Sequence, residues 1–373
     1  MNQSLFSLLR DLVAIDSTSV KTNAPVVAAL EPRLKTLGLR VTRQTFRDEN
    51  GVEKINLVAT HGEGPAELAL VGHTDCVPFD PSWSEALTLT ERDDKLFGRG
   101  ACDTKAFIAC ALTAVENVGK KLKRPYALVF TADEEVGCVG AKHLQTGRAL
   151  SARRAIIGEP TQLTPVRANK GYCLADVEFF GKEGHSAYPD SGVSANFHAA
   201  RFLTRLEGFS NGSLRQRVDV NFSPAFTTLN VGVIQGGKAK NIIPGHCRLT
   251  LEWRPIPSQN VEHVLQEVVG ILRGLQVEDA TLKFAVHPRR MDRGFDTAPD
   301  ADVVKFLEGA CGHASKTVSF GTEGPQLAAL GAIPVVFGPG DIQVAHQTGE
   351  FVPKAELVAC QGILESALLQ FAG

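Results

Sequence analysis

The sequence lacks the features that mark several large classes of protein. Lysine and arginine total 39 and aspartate and glutamate 41, so the formal net charge is −2 and there is no basic excess. Proteins that bind nucleic acid usually carry a basic face or stripe, so this balance argues against such a partner. No apolar run approaches the length that spans a membrane. We therefore expect neither a nucleic-acid partner nor a membrane partner.

Paired cysteines are also missing. The eight cysteines are scattered without a C-x-x-C spacing, which argues against a disulfide framework and favours reduced thiols in the cytoplasm. Cys76 and Cys102 each adjoin an aspartate; their thiolates could bind a metal, but small core-filling residues are the favoured interpretation. Residues 1–11 have the pattern of an amphipathic helix without the basic start or cleavage site of a signal peptide, so none is expected.

What the sequence does contain is an alternation of strand and helix patterns. Its 43% hydrophobic and 21% charged residues are typical of a globular protein. Short apolar runs at residues 68–71, 127–131 and 155–157 predict buried strands, with helices between them. Such alternation forms a mostly parallel sheet, so the predicted fold class is α/β with helices flanking the sheet.

The pattern changes between residues 173 and 288. There the predicted order is β-α-β-β-α-β, the plan of a ferredoxin-like α+β domain. A chain of 373 residues exceeds one ordinary hydrophobic core. We therefore predict a main domain in two parts, residues 1–172 and 289–373, with a second domain inserted at residues 173–288.

Side chains that can bind a metal follow the apolar runs of the main domain or lie in its loops. They are His73, Asp75, Asp103, Glu134, Glu135, Glu159 and His346. Ligands of such sheets bind at the carboxyl ends of the strands, and imidazole nitrogen and carboxylate oxygen are donors that zinc takes. Taken singly, adjacent acidic residues usually form a solvated turn, and a lone histidine is more often a surface or core residue. Their repeated position after apolar runs favours a common site.

Two histidines and three carboxylates suffice for two metal ions if one carboxylate bridges them. Two ions roughly 3.5–4 Å apart can share a water, lower its pKa towards about 7 and polarise a substrate carbonyl. A further carboxylate must stay free of metal to remove the proton of that water. The adjacent pair Glu134 and Glu135 could divide these duties, one as base and the other as ligand.

Several stretches together resemble the M20 metallopeptidases. They are His73-Thr74-Asp75-x-Val77-Pro78, Gly98-Arg99-Gly100-x-x-Asp103-x-Lys105, Asp133-Glu134-Glu135-x-Gly137, Gly158-Glu159-Pro160-Thr161 and Ala345-His346. The match runs in the family's order over nearly the whole chain. One departure is Ala106, since the family often has glycine after the lysine.

The resemblance implies a catalytic main domain with two Zn²⁺ per subunit, for which Co²⁺ could substitute. The implied ligands are His73, Asp103 and Glu159 for one ion, and Asp103, Glu135 and His346 for the other. Asp103 would thus bridge the two ions, and the peptide bond Asp103–Thr104 would be cis. Glu134 would be the general acid and base, and Asp75 would steady His73 from behind.

The inserted domain carries further matching motifs, including Gly181-x-x-Gly184-His185-Ser186-Ala187-x-Pro189. The resemblance implies that His185 reaches the active site of a neighbouring subunit and binds the substrate carbonyl oxygen, so we expect a homodimer formed through this lid and dimerisation domain. Asn241 would contact the substrate or its oxyanion, and Arg254 would clamp a substrate carboxylate bidentately. An exposed loop histidine and a structural salt bridge are the alternatives for His185 and Arg254.

Within the family, the resemblance is closest to the branch that deacetylates N2-acetyl-L-ornithine for arginine synthesis. It depends on residues 133–138, 320–325, 337–340 and 345–347. The expected substrate is therefore that small N-acyl amino acid, with Glu323 either the partner of its distal ammonium or a turn carboxylate. Acetylcitrulline and succinyl-diaminopimelate are alternative substrates, and a non-catalytic scaffold is the alternative from another functional class.

Overall fold

The computed structural model describes residues 2–373. The helices are α1 (Asn2–Val13), α2 (Ala24–Thr36), α3 (Lys105–Val118), α4 (Val139–Gly147), α5 (Ala195–Asn211), α6 (His263–Glu278), α7 (Asp302–Cys311), α8 (Gly324–Ala329) and α9 (Lys354–Ala372). No helix in this range is long and apolar enough to cross a membrane.

The strands complete the α/β fold. They are β1 (Arg40–Arg47), β2 (Glu53–His61), β3 (Leu68–His73), β4 (Thr90–Arg92), β5 (Lys95–Phe97), β6 (Tyr126–Thr131), β7 (Arg154–Ile157), β8 (Val166–Asn169), β9 (Tyr172–Phe180), β10 (Gly184–His185), β11 (Thr228–Gly236), β12 (Ile242–Ile243), β13 (His246–Arg254), β14 (Lys283–Asp292), β15 (Phe295–Asp296), β16 (Lys316–Val318), β17 (Ile333–Val336) and β18 (Phe351–Pro353).

The chain divides into two compact units. The first comprises the chain up to Arg167 together with residues 297–316 and 322–373, and the second comprises residues 168–296 and 317–321. The sequence placed the ends of the inserted domain at residues 173 and 288. The second unit extends beyond both of these ends, because two short strands outside that range, β8 and β15, pair with each other. Asn169 pairs with Phe295, and Ala168 pairs with Asp296.

The sheet of the first unit has the order β1-β2-β6-β3-β7-β17-β8. Its centre, β6-β3-β7-β17, is parallel, and the outer strands β1, β2 and β8 pair antiparallel. This arrangement confirms the predicted α/β class with a mainly parallel centre. The parallel strands all end at one edge, and their carboxyl ends are where a ligand site is expected.

Complete burial of the central strands explains their unbroken apolar sequence. Every residue of β3 and β6 is buried, as expected for parallel strands covered on both faces. Helix α3 is buried along most of its length. It approaches the sheet closely at Gly158, where a side-chain Cβ would lie 2.2 Å from the Phe107 ring. A glycine there lets the start of α3 approach the residue that precedes Glu159.

The second unit contains an antiparallel sheet with the order β11-β13-β9-β14. Its elements follow the predicted sequence β9-α5-β11-β13-α6-β14, the ferredoxin-like plan. The sheet alternates buried and less buried residues along β13, so its buried face packs with the helices. The core formed there includes Phe179, Phe202, Trp253 and Leu272.

Several short elements were not predicted. Strand β8 and helix α8 lie in segments for which no element was predicted, and β4, β5 and β18 form a separate three-stranded sheet. Each is six residues or shorter, which is too short to show a clear period of hydrophobicity. Their partners are distant in the chain, as for Phe351 of β18 and Phe97 of β5.

Candidate functional site

The ends of three parallel strands bring the predicted polar side chains together. His73, the last residue of β3, pairs in register with Thr131, the last residue of β6. Glu134 and Glu135 come after β6, separated from its end by two residues, and Glu159 comes after β7, separated from its end by one residue. These segments therefore leave the sheet at one edge, as the sequence predicted.

The imidazole of His73 is buried and held from both sides. Its Nδ1 lies 3.0 Å from the backbone oxygen of Asp75, and its Nε2 lies 3.0 Å from Oδ1 of Asp103. A proton on Nδ1, donated to that carbonyl, leaves the Nε2 lone pair directed into the cluster. This tautomer is the one a metal ligand requires.

Asp103 is the central member of the cluster. Its Oδ1 faces His73, and its Oδ2 lies 3.1 Å from Nε2 of His346. The same His346 nitrogen lies 3.0 Å from Oε2 of Glu135. One carboxylate thus contacts both histidines through different oxygens, which is the geometry of a bridging ligand. The peptide bond Asp103–Thr104 is cis, as the resemblance implied.

Potential ligand atoms form two overlapping groups. Those of His73, Asp103 and Glu135 lie within 4.8 Å of one another, and so do those of His73, Glu134 and Glu159. The five predicted ligands are therefore brought together. Glu134, predicted to be the base, lies close enough to be counted with the ligands. Its Oε1 lies 3.2 Å from the Cys138 sulfur, whose thiol can donate to it.

Asp75 contacts His73, as the sequence suggested, and has further partners in the next loop. Its carboxylate lies 3.6 Å from Nδ1 of His73, whereas its backbone carbonyl is the closer partner. The carboxylate accepts the backbone N–H groups of Glu134 at 3.0 Å and Glu135 at 3.2 Å, and the Ser19 hydroxyl at 2.8 Å. Because Asp75 lies beyond the last residue of β3, its side chain is free to turn towards the next loop. It links the His73 segment to the acidic pair.

The electrostatics of the cluster favour bound positive charge. Burial and the neighbouring Asp103 raise the pKa of Glu135, and burial with the Asp103 and Glu134 charges raises that of Glu159 well above its usual range. Hydrogen bonds to Asp103 and Glu135 raise the pKa of His346 to about 10. Crowded carboxylates beside two imidazoles fit divalent cations with nitrogen and oxygen ligands, of which zinc is one.

Two residues at this edge have unusual backbone conformations, which supports a functional role for the edge. Asp133 has φ +55° and His346 φ +64°, in the left-handed region that non-glycine residues rarely adopt. Such residues are found where the surroundings hold them and are concentrated at functional sites. Asp133 is held by the buried Lys54, whose Nζ lies 2.7 Å from its carboxylate.

Cys76 and Cys102 are buried thiols beside this cluster. Burial raises the pKa of Cys76, and burial with the charge of Glu350 raises the pKa of Cys102 well above its usual range. A raised pKa disfavours the thiolate that a metal requires. Both residues therefore fit the core-filling interpretation.

Two predicted substrate contacts are neighbours in the second unit. His185 is exposed on β10 and pairs with Ile242 of β12, and the N–H of Ser186 donates to the carbonyl of Asn241 at 3.1 Å. The His185 ring is held by the N–H of Ala187, 3.1 Å from Nδ1. We call residues 184–185 and 241–243 the β10–β12 ribbon. It carries both His185 and Asn241 at the surface of this unit.

Arg254 lies at the other end of β13 from that ribbon. The ribbon adjoins the His246 end, where the N–H of Gly181 donates to the Gly245 carbonyl. The extended strand His246–Arg254 places Arg254 roughly 26 Å away along β13. Arg254 donates to Glu252 at 2.6 Å and stacks on Tyr172 with its guanidinium 4.0 Å from the ring centre. The salt bridge named as an alternative is therefore present.

Glu323 is a buried carboxylate at the start of α8. Neither of its oxygens has a hydrogen bond of good geometry among residues 2–373, and the same holds for the buried Oε1 of Gln326 one turn later. The Thr131 side chain is near enough to favour the charged form of Glu323. Burial raises the pKa of Glu323 to about 7. Two buried acceptor side chains without well-placed donors, at the N-cap and in the first turn of one short helix, are suited to a ligand that brings N–H groups.

Sequence reasoning missed Glu350 and gave no role to Arg99. Glu350 accepts the backbone N–H of Cys102 at 2.8 Å and that of Asp103 at 3.0 Å, and it is ion-paired with Arg99. The signal available in the sequence was weak. Glu350 is an acidic residue four positions after His346, and Arg99 stands between two glycines.

The chain is similar to known proteins over nearly its whole length. The profile of Peptidase family M20/M25/M40 matches residues 69–370. The chain is similar to the acetylornithine deacetylase of Myxococcus xanthus, with 56% identity over 373 residues that cover 99% of this chain and 98% of the relative. It resembles the structure of a Staphylococcus aureus tripeptidase, with a TM-score of 0.80, 23% identity and 99% coverage of both chains. It also resembles a Bacillus subtilis dinuclear metal binding peptidase from the M20 family, with a TM-score of 0.71, 13% identity and coverage of 98% and 97%.

Proposed function

Because the chain belongs to peptidase family M20/M25/M40, we propose that it hydrolyses N2-acetyl-L-ornithine to L-ornithine and acetate in arginine biosynthesis. The chain is a metal-dependent amide hydrolase that acts on a small amino-acid substrate. The observation that carries the proposal is the cluster in which Asp103 contacts both His73 and His346. Similarity to a relative named acetylornithine deacetylase supports the choice of substrate.

The cluster fits two divalent ions, which we propose to be Zn²⁺, with Co²⁺ able to substitute. His73, Asp103 and Glu159 would hold one ion, and Asp103, Glu135 and His346 the other. A dinuclear M20 peptidase among the similar structures supports the count. When bound, the ions would supply positive charge that polarises the acetyl carbonyl and favours loss of a proton from the attacking water.

Glu134 is the proposed general base and acid. Its carboxylate takes a proton from the water that attacks the acetyl carbon, and it later gives that proton to the amine nitrogen that leaves as the C–N bond breaks. Burial and the charge of Glu135 raise the pKa of Glu134 to about 8, although the neighbouring His73 opposes this shift. Such a pKa suits a group that must both accept and return a proton near neutral pH.

Asp75 is proposed to position both the base and a ligand. By accepting the N–H groups of Glu134 and Glu135, it fixes the backbone from which those carboxylates project. Through its carbonyl it sets the tautomer of His73. Partners behind a metal ligand typically affect metal affinity or activity by about 10–100-fold.

Glu323 is the proposed partner of the distal ammonium of ornithine. Its two oxygens and Oε1 of Gln326 have no hydrogen bond of good geometry within residues 2–373, and the neighbouring Thr131 hydroxyl can satisfy at most one of them. An ammonium offers three N–H groups. A protein group left buried without a partner costs free energy, so a substrate that supplies the missing donors is preferred over one that does not. Arg254 is proposed to bind the substrate carboxylate, for which it would exchange its contact with Glu252.

A homodimer formed through the second unit is proposed as the working form. In that unit the β10–β12 ribbon, which carries His185 and Asn241, adjoins the His246 end of β13. Arg254 lies at the other end, roughly 26 Å along the strand, which is too far for one small substrate to contact both within a single chain. We therefore propose that each subunit places its His185 and Asn241 in the active site of its partner, where they contact the substrate. Strand β11 is an edge strand on which Val233 and Ile234 are exposed, and such edges readily pair with another chain.

The protein is proposed to work in the cytoplasm. No disulfide joins any of the eight cysteines in residues 2–373, and seven of them are buried. Unpaired thiols persist in a reducing compartment, whereas secreted proteins usually pair them.

The test of the proposed function is steady-state hydrolysis by chelated enzyme to which Zn²⁺ or Co²⁺ is added back. The substrates are N2-acetylornithine, N-acetylcitrulline, N-acetylmethionine and N-succinyl-diaminopimelate. We expect the highest kcat/KM for acetylornithine, restored by metal. In Glu323→Gln we expect a loss of about 10–100-fold for acetylornithine, the equivalent of one charge-assisted hydrogen bond of about 1.5–3 kcal/mol. For acetylmethionine, whose side chain has no charge, we expect unchanged kcat/KM.

Each other result has a distinct meaning. Preference for acetylcitrulline or the succinylated substrate would keep the metal centre and replace the substrate. An equal loss for all substrates in Glu323→Gln would contradict the ammonium role. Absence of turnover in metal-loaded enzyme would favour a non-catalytic scaffold.

Mixing two inactive variants tests the shared site. A His185→Ala chain keeps its own Glu134, and a Glu134→Gln chain supplies an intact His185 to its neighbour. We expect each variant alone to be nearly inactive and activity to reappear after subunits are exchanged. Mixed dimers without activity, or a monomer in sedimentation at working concentration, would contradict donation of His185.

A further inference from the structure

Glu350 lies between two metal-binding segments without contributing a ligand itself. It follows His346 by four residues in the loop before β18, and its side chain is fully buried, with 0% exposure. A buried carboxylate requires donors that satisfy it. Those donors come from a distant part of the chain, the Gly98–Asp103 loop.

Three hydrogen bonds join Glu350 to backbone N–H groups of that loop. Oε1 accepts the N–H of Cys102 at 2.8 Å and the N–H of Asp103 at 3.0 Å. The carbonyl of Glu350 accepts the N–H of Gly98 at 3.0 Å. These bonds fix the peptide from which the Asp103 side chain projects, since a backbone held at three points cannot rotate freely.

Arg99 completes the link and is itself 2% exposed. It is ion-paired with Oε2 of Glu350. Its Nη2 lies 3.4 Å from the carbonyl of Gln347, next to His346, and 3.5 Å from that of Pro78, in the loop after His73. One guanidinium therefore reaches the segments that carry three of the candidate ligands.

We propose that Glu350, paired with Arg99, is a positioning residue that orients Asp103 and His346 towards the same metal ion. The inference rests on the dinuclear site of the proposed function. Glu350 does not touch substrate in this role; it acts through the backbone of Asp103 and through the short loop that joins it to His346. A planar guanidinium suits the task because it binds a carboxylate and two carbonyls in one fixed plane.

The test measures metal binding separately from activity. Apo-protein carrying Glu350→Gln or Glu350→Ala is titrated with Zn²⁺ by calorimetry, and the visible spectrum of the Co²⁺ form is recorded. We expect the more weakly bound ion to lose affinity by about 10–100-fold in Glu350→Ala, the effect typical of residues behind metal ligands. Glutamine keeps an oxygen for the two N–H groups but not the charge for Arg99, so Glu350→Gln should lose less.

Kinetics provide a second readout that a role limited to stability would not change. At limiting Zn²⁺ we expect kcat to fall in both variants and to recover with excess Zn²⁺, while KM for the substrate stays constant. Glu356→Gln is the matched control, because the loop N–H that Glu356 accepts is that of Gly340, at 2.8 Å, and not that of Cys102 or Asp103. It should bind both ions as the wild type does.

Wild-type protein titrated in parallel separates the two hypotheses. If it binds two ions and folded Glu350 variants bind both with the same affinity, the positioning role is wrong. If Glu350→Ala does not fold, the same decision is made on Glu350→Gln. If the wild type itself binds fewer than two ions, the dinuclear proposal is wrong, whatever the variants do.

Discussion

Replacing Glu134 by glutamine should lower kcat by about 10²–10⁴-fold, the contribution typical of a general acid–base group. The amide has nearly the same shape but cannot accept the proton of the attacking water. The expected second result is an unchanged metal content. That result is informative because the Glu134 carboxylate lies within 4.8 Å of potential ligand atoms of His73 and Glu159, so the geometry alone allows it to be a ligand.

Metal analysis of the purified variant, together with steady-state kinetics on acetylornithine, decides between these roles. Loss of one equivalent of metal would make Glu134 a ligand, and retained turnover would remove it from the mechanism. Glu85→Gln is a suitable control, since Glu85 is paired with Arg92 at the exposed surface. That exchange should leave both metal content and kcat unchanged.

The candidate site could be predicted because its residues occupy positions that sequence periodicity reveals. Apolar runs predicted β3, β6 and β7, and the carboxyl ends of parallel strands meet at one edge. The register of His73 with Thr131 then follows from pairing of β3 with β6. Asp103 and His346 could not be placed in this way, because both lie in loops. Only the resemblance to a family indicated their roles.

The supporting contacts could not be predicted, because they join segments far apart in the chain through backbone groups. Glu350 and the N–H of Asp103 are separated by 247 residues, and no local pattern records such a bond. Lys54 is similar. It lies in β2 and is fully buried against Asp133, 79 residues away. A lysine in a strand is expected to have an exposed side chain. Burial of Lys54 is compatible with a stable fold because the Asp133 carboxylate pairs with its charge, and the sequence alone does not reveal that pairing.

Removal of the charge of Asp103 should have the largest effect on metal binding of any single change. Its two oxygens face different histidines, His73 at 3.0 Å and His346 at 3.1 Å, so both ions of the proposed centre depend on it. We expect Asp103→Asn to bind neither ion tightly and to lose turnover, whereas His346→Ala should lose only the ion shared with Glu135. Metal analysis after dialysis against buffered Zn²⁺ measures the difference directly.

Thermal unfolding makes this contrast independent of activity. A ligand that binds only the folded state at about 1,000 times its Kd adds about 4 kcal/mol of stability, so Zn²⁺ should raise the Tm of the wild type clearly. It should raise the Tm of His346→Ala less and that of Asp103→Asn little, while the exposed control Asp80→Asn should respond as the wild type does. An equal rise for Asp103→Asn and His346→Ala would show that Asp103 serves one ion only. The two carboxylate oxygens would then have unequal tasks, one binding metal and the other only orienting a histidine.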